Sequence, residues 1–590
     1  MNTRYSQSLR DEQLTGAILA VSGALVAAVV WNWVCAQLAW FIATGHHLHR
    51  SIAESLPALI ALRRSSADPA KAWTAVLGPR PGPVVYYGSA SFVIVLAVVA
   101  AIAGRRMVAK SRAGGESFGR TSRHQAARWA TLTDSRQLRV GRRDVHRRLV
   151  LGRLCGFGFK RLIATEARHS VLVLGPTQSG KTSSLAVPAL LEWDGPALAT
   201  SVKDDLARHT VRWRAARGHV WIFDPTAGSG LRPLSRWSPL ALCDGWAGAQ
   251  RTASWLVDAT PARTGMADAA FWYAAAAKQL APLLLAANCG GWSMAEVVRW
   301  TNTSNFSEPG QLLRLAGQDE AAVALLACES RDDRIRSSVA TTLETVLAPF
   351  EDPTVADWTS SSDFGLDDLL ESSGTVYVCG PSHEQNRVQG VFSALVSSVV
   401  AAAVERVART GRPLDPPLLV VLDEAANIAP VRDLDTVAST CAGLGIQLVT
   451  VCQDLGQLSG RYGNERARTI VNNHRAKVLL SGVSDLPTLD LLSGLAGEEA
   501  VREESYTLDQ TDGRRTRSSA VAFRRLLPSD RLRRVPPGEG VLIYGHLAPI
   551  RLRLRPWYED RVLRSRVEEQ AIPPARQEAP RLDLAQSERQ

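Results

Sequence analysis

The stretch VLVLGPTQSGKTSS, residues 171–184, runs an apolar strand pattern straight into a glycine-bounded loop that carries one lysine. It fits G-x-x-x-x-G-K-[ST], with Gly175, Gly180, Lys181 and Thr182 at the fixed positions, and a helical pattern follows it. Such a loop is built to hold phosphate. Glycine permits backbone angles and close approaches that a side chain blocks, so the run Gly175, Pro176, Thr177, Gln178, Ser179, Gly180, Lys181, Thr182 and Ser183 can turn its backbone N–H groups toward an anion. The pattern assigns Lys181 to the β- and γ-phosphates of ATP and the Thr182 hydroxyl to Mg²⁺. The helix that begins there turns its positive end toward the same charge.

A second stretch, PPLLVVLDEAAN (416–427), places five apolar residues, Leu418 to Leu422, ahead of Asp423 and Glu424. A strand buried on both faces reads as such a run, and it delivers its terminal carboxylates to the sheet edge where ligands sit. On this reading Asp423 holds Mg²⁺ through its water shell, and Glu424 orients and deprotonates the attacking water. GIQLVTVCQD (445–454) puts Gln453 at the tip of another apolar strand, in a position to sense the γ-phosphate or the water. Asn472, Asn473 and Arg475 precede a further strand within ARTIVNNHRAKVLLSG (467–482), with roles left open.

Around these motifs, short apolar strands alternate with helical patterns from Leu149 onward, which predicts a parallel, doubly wound α/β sheet. Residues 245–350 lose the strand signal and carry helical periodicity, as in FWYAAAAKQLAPLLLAAN (271–288), so an all-helical insertion is expected there. Strand character returns at GTVYVCGPSHEQ from Gly374, and VLIYGHLAPIRLRLRPWY (541–558) reads as the last sheet element. The polar, proline-containing residues 566–590 read as a disordered tail.

The chain has 590 residues, enough for two to four domains, and a formal net charge of +11, which favours acidic partners such as nucleic acid or anionic lipid. Its eight cysteines are scattered without a C-x-x-C pair, as in a reducing compartment. Two apolar runs, 14–42 and 84–103, each exceed the roughly 18 to 20 residues that cross the hydrocarbon layer. They predict two membrane helices. The arginines that follow the second run, Arg105, Arg106, Arg112, Arg120, Arg123 and Arg128 among them, hold that side in the cytoplasm, where ATP is available. The stretch 105–148 reads as a basic juxtamembrane linker that can meet lipid headgroups or nucleic-acid phosphates.

The two spans, LGPTQSGKTSS, ATSVKDDL with Lys203, FDP, FWYAAAAKQL, VVLDEAAN, VCQDLGQL and VNNHRAKVLLSG together resemble the type IV coupling proteins of bacterial conjugation, membrane ATPases of the TraG/TraD kind. The resemblance covers most of residues 1–558. It implies a RecA-like P-loop core (149–244 and 351–565) with the helical insertion (245–350), anchored in the inner membrane by residues 1–104. It also implies a homo-hexameric ring that recruits a relaxase bound to DNA, single-stranded on this reading, and drives the strand into a secretion channel. The chain departs from some relatives at STCAGLG (439–445), which has no arginine to act across a subunit interface and leaves Arg387 or Arg475 as candidates. Two other readings share parts of this pattern. A double-stranded DNA pump of the chromosome-segregation kind has the same core and anchor, but usually ends in a winged-helix domain. An ATP-binding receptor that docks protein substrates onto a secretion apparatus would not need the carboxylate of Glu424.

Overall fold

The computed structural model of the chain describes residues 28–63, 65–73, 79–95, 126–141, 147–155, 161–260, 269–508 and 515–568. The chain divides into two units, Met1–His124 and Gln125–Gln590.

In the first unit the helices Ala28–Thr44 and Pro83–Val95 cover part of each expected span. As described, each is shorter than the 18 residues a crossing helix needs; residues 14–27 and 96–103 lie outside the described residues. A small core of Trp40, Leu48, Ala58, Trp73 and Tyr86 joins them to the segment between. Within it the Tyr86 hydroxyl donates to Asn32 Oδ1 at 3.1 Å and accepts from Trp73 Nε1 at 3.1 Å.

The second unit is organised by a 12-stranded sheet. In chain order its strands are β1 (Arg139–Val140), β2 (Val150–Leu154), β3 (Leu162–Ala164), β4 (Val171–Leu174), β5 (Ala197–Ser201), β6 (Val220–Phe223), β7 (Thr375–Cys379), β8 (Leu418–Leu422), β9 (Ile446–Cys452) and β10 (Ala476–Leu480). A separate hairpin, β11 (Glu498–Leu508) with β12 (Arg515–Arg525), intervenes before β13 (Glu539–Tyr544) and β14 (Ile550–Arg553) complete the sheet. The order across the sheet is β1-β3-β2-β14-β13-β10-β4-β9-β8-β5-β7-β6. From β10 to β6 every neighbour is parallel, and β4, β5, β7, β8, β9 and β10 are buried at every position.

The other half of the sheet corrects the wholly parallel expectation. Only residues 545–549 join β13 to β14, and only 155–161 join β2 to β3. Parallel neighbours need a crossover of a dozen residues or more, so these strands pair antiparallel. The single last element expected over 541–558 is therefore two strands, and β1 draws residues of the expected linker into the sheet. The residues 566–568 of the expected tail end a helix, Arg561–Glu568, and 569–590 lie outside the described residues.

Between β6 and β7 the chain is helical, including Trp246–Ala259, Ala269–Gly290, Met294–Thr303, Ser307–Leu315, Asp319–Glu329 and Asp333–Leu347. One continuous apolar core joins these helices to one face of the sheet, with Leu172, Phe223, Trp237, Leu280, Trp300 and Phe392 among its members. The helix Gln385–Thr410 lies in that core and is, among the described residues, the one helix long and apolar enough to cross a membrane. Its Val388, Val391, Phe392, Leu395 and Val399 are fully buried by the protein itself, which accounts for its composition.

Candidate functional site

The phosphate-type loop leaves the C-terminal end of β4, and close packing fixes its shape. A Cβ on Gly175 would stand 2.5 Å from Ser179 Oγ and 3.0 Å from the Leu480 Cβ, so no larger residue fits there. Gly180 has φ +90 and Gln178 has φ +65, the left-handed turns that fold the loop back on itself. The Gly175 N–H donates to the Cys452 carbonyl of β9 at 3.2 Å and ties the loop to the sheet. The helix that follows begins with a wide turn, Thr182–Ala186, in which the Val187 N–H reaches back to the Thr182 carbonyl. Pro188 has no N–H to donate to the preceding turn, which gives that widening its physical cause.

Lys181 is buried, and its ammonium donates to the carbonyls of Gly175 at 2.6 Å and Pro176 at 2.8 Å. Burial lowers its pKa, against the raising effect of Asp423 and Glu424. The Thr182 hydroxyl donates to Asp423 Oδ2 at 2.9 Å. The two come from different strand ends: β9 stands between β4 and β8, a separation of about 10 Å at the usual strand spacing. The loop and the first helical turn bridge that gap. Burial pushes the Asp423 carboxyl up to about 6, and the Glu424 charge adds to it, while the Thr182 hydrogen bond and Lys181 oppose the rise. Glu424 sits at φ +55 and accepts a hydrogen bond from Asn427 Nδ2 at 3.2 Å.

These side chains share one cleft of about 300 Å³, lined by Thr177, Gln178, Gly180, Lys181, Thr182, Ser183, Asp423 and Glu424 from the two motifs. Gly175, Pro176 and Ser179 shape the loop without lining the cleft. Gln453 directly follows β9, between the two motifs, yet it is not among the lining residues, and its backbone N–H is bound by Gln457 Oε1 at 2.9 Å. Arg387 is held by Asp352 at 3.1 Å and Glu384 at 2.6 Å, and Arg475 packs over Gly545; neither lines the cleft. Asn473 Nδ2 donates to the Asp435 carbonyl at 2.8 Å.

The cleft also contains Ser201, Val202, Lys203, Asp205 and Tyr558, which the motif reading does not assign to it. Lys203 and Asp205 follow β5, the neighbour of β8, and ALATS before VKDD carries the same signature of a buried strand ending in charge. Tyr558 has no such local signal.

The donor set fits ATP with Mg²⁺. The left-handed turns at Gln178 and Gly180 and the close packing at Gly175 make a cradle that a Cβ at Gly175 would fill, and among the described residues the Ser179 hydroxyl is buried there without a partner. Among the described residues the Lys181 ammonium is held by the carbonyls of its own loop, and the paired Thr182 and Asp423 oxygens are the hard ligands Mg²⁺ takes beside phosphate.

The family model described as "Type IV secretory system Conjugative DNA transfer" matches residues 124–579. The chain is 28% identical over 384 residues to the conjugal transfer protein TraG of Escherichia coli, covering 59% of this chain and 58% of that protein. It is 26% identical over 476 residues to VirD4 of Agrobacterium fabrum, covering 76% and 68%. The chain thus spans less than two thirds of the TraG relative's length. Among solved structures, the bacterial conjugative coupling protein TrwBdeltaN70 in its unbound form superposes with a TM-score of 0.57 at 19% identity, over 75% of this chain and 95% of that one. TrwB in complex with ADP and Mg²⁺ gives 0.54 at 18%, over 75% and 97%. These show a shared mixed α/β fold with a large parallel sheet.

Proposed function

This chain belongs to the type IV secretory system conjugative DNA transfer family, and we propose that it is the coupling ATPase of such a system, binding ATP with Mg²⁺ and using hydrolysis to move DNA or a relaxase–DNA substrate into a secretion channel. The observation that carries this reading is the convergence of Lys181, the Thr182–Asp423 pair and Glu424 in one cleft at the parallel strand ends.

The loop N–H groups and Lys181 bind the phosphate chain, and the ammonium exchanges its two loop carbonyls for phosphate oxygens. Thr182 and Asp423 would hold Mg²⁺, which when bound neutralises charge at the phosphates. Glu424 orients a water and takes its proton at a carboxylate oxygen. TrwB, which shares this fold, has been solved in complex with ADP and Mg²⁺, which supports the choice of nucleotide and metal. The apolar runs 14–42 and 84–103 anchor the chain in the inner membrane by two spans, with the second unit in the cytoplasm. A homo-hexamer encloses the DNA, and a neighbouring subunit's arginine, Arg387 or Arg475, completes each site.

The net charge of +11 and the arginine-rich residues 105–148 support contacts with the DNA backbone rather than with bases. The test measures phosphate release by the detergent-solubilised chain against random-sequence single strands at several salt concentrations. Stimulation that falls steeply with salt and depends little on sequence is expected, since each neutralised phosphate contributes nearly one unit to the logarithmic slope. ATP binding without stimulation by any DNA would refute the motor and leave a substrate receptor.

A further inference from the structure

The cleft's lining has one aromatic ring among the described residues, and it comes from the far end of the chain. Tyr558 follows β14 in the segment 554–560, which returns across the helix that begins at Thr182. Three contacts fasten that segment. Arg555, almost wholly buried, donates through its two Nη atoms to both carboxylate oxygens of Glu192, at 3.0 and 2.5 Å, and Glu192 ends that helix. Its Nε donates to Asp560 Oδ2 at 2.8 Å, which Arg153 Nη2 also reaches at 2.7 Å. The Trp557 N–H donates to the Ser183 carbonyl at 3.0 Å, and the Trp557 ring packs on His209 at 4.5 Å between centroids.

A buried ion pair returns little net stability after its desolvation, but a bidentate one fixes geometry. Here it fixes the residue beside it. Tyr558 stands edge-on to Trp557 at 5.7 Å, remains 50% exposed, and its hydroxyl has no partner among the described residues. It is thus a half-exposed ring carried on a fastened segment, at the border of a cleft otherwise lined by Thr, Gln, Ser, Lys, Asp and Glu, with Val202 and Gly180. Those polar groups satisfy the triphosphate and offer nothing flat and apolar to the rest of the nucleotide.

We propose that Tyr558 is the platform on which the nucleotide base stacks, so that the C-terminal return segment forms half of the nucleotide site. The proposal rests on the assignment of the cleft to ATP. Stacking engages the face of a base and not its edge, so purine triphosphates should gain from it alike, whatever their exocyclic groups.

The experiment is calorimetric titration of the solubilised full-length chain with ATP, GTP and inorganic triphosphate, each with Mg²⁺, for the native chain, Tyr558→Ala, Tyr558→Phe and Lys181→Ala. Tyr558→Ala should weaken ATP and GTP equally, by about fivefold to a hundredfold, the range of base–aromatic stacking. It should leave inorganic triphosphate unchanged, and Tyr558→Phe should restore ATP to within about twofold. Unchanged ATP affinity in Tyr558→Ala overturns the proposal. So does an equal loss of inorganic triphosphate, which would make Tyr558 a support of the phosphate loop, or a failure of Phe to restore binding, which would assign the role to the hydroxyl. Lys181→Ala separates the two levels of the argument: if it leaves triphosphate and ATP binding intact, the cleft is not the nucleotide site and both readings fall.

Discussion

Glu424 is held in a conformation that costs stability, and replacing it should separate stability from turnover. Its φ of +55 is left-handed, which costs a residue with a Cβ about 1 to 2 kcal/mol. The surroundings enforce it: the Glu424 carbonyl accepts the N–H groups of Asn427 at 2.9 Å and Ile428 at 3.2 Å, and the Ala425 N–H is bound by the Val451 carbonyl at 3.1 Å. Glycine takes this conformation freely but loses about 0.5 to 1 kcal/mol more backbone entropy on folding. Glu424→Gly should therefore be more stable than the native chain by up to about 1.5 kcal/mol, with a further gain because one of the two neighbouring carboxylates at the cleft is gone. Glu424→Gln keeps the shape, and its amide oxygen can still accept from Asn427. Both variants should bind ATP at least as tightly as the native chain, since a negative charge has been removed beside a polyphosphate site. Both should turn it over at least about a hundredfold more slowly, the scale of a lost general base. The assay pairs urea unfolding and equilibrium nucleotide binding with phosphate release. If Glu424→Gly is destabilised and binding disappears together with turnover in both variants, Glu424 is a structural residue and the reasoning fails.

Lys181→Ala should abolish phosphate release while leaving membrane insertion intact, because the ammonium acts on bound phosphate; an unchanged rate in the mutant would remove the assignment of the loop. His474, fully buried, keeps a neutral ring with Nδ1 donating to the Ile470 carbonyl at 2.7 Å and Nε2 accepting from the Thr450 hydroxyl at 2.8 Å, and burial lowers its pKa from 6.5 to about 4. The unfolded chain takes up this proton first, so stability present above pH 6.5 should be lost as pH falls toward 4, by up to about 3 kcal/mol. His474→Gln should flatten that slope in urea titrations at pH 7 and 4.5, and identical slopes in the two proteins would show that the loss comes from other groups. A reporter enzyme active only outside the cytoplasm should be active when fused at Ala67 and silent after Arg112; the reverse pattern would place the nucleotide site outside the cell.

What the sequence discloses here depends on how far each residue's environment lies along the chain. The loop after β4 and the acidic pair after β8 are legible because a buried parallel strand writes itself as an unbroken apolar run, and the residue that ends the run stands at the ligand edge. By the same rule Gln453 follows the end of β9, and topology does bring it between the two motifs; the rule gives the strand end but not the side chain's direction, and Gln453 does not line the cleft. The antiparallel half of the sheet is harder to read. Strands β1 and β3 span two and three residues, and β14 shows alternating burial with Arg551 and Arg553 outward, so none produces a long apolar run. The hairpin β11–β12 is hidden for another reason. Its strands look too charged to pair until they are set side by side, when Glu498 and Glu499 fall opposite Arg525 and Arg524, and Arg524 bonds Glu503 across the ladder.

Tyr558 is the extreme case. Its place at the cleft depends on β13 turning back into β14, on β14 pairing with β2, and on Arg555 meeting Glu192 and Asp560 in a buried site. Arg555 and Asp560 lie close to Tyr558 in the chain, but Glu192 does not, and the charge pairing between 192 and 555 becomes decisive only once both ends are out of water, where an unpaired guanidinium costs several kcal/mol. The same physics explains why the segment is held so firmly: breaking Arg555 from Glu192 would leave a buried charge on each side. Glu192→Gln should thus loosen the return segment and lower ATP affinity as Tyr558→Ala does, while inorganic triphosphate binding, which needs only the loop that β4, β9 and β10 hold in place, should persist. Loss of both ligands together would mean that the segment supports the phosphate loop itself, and a change in neither would show that the ring needs no such mounting.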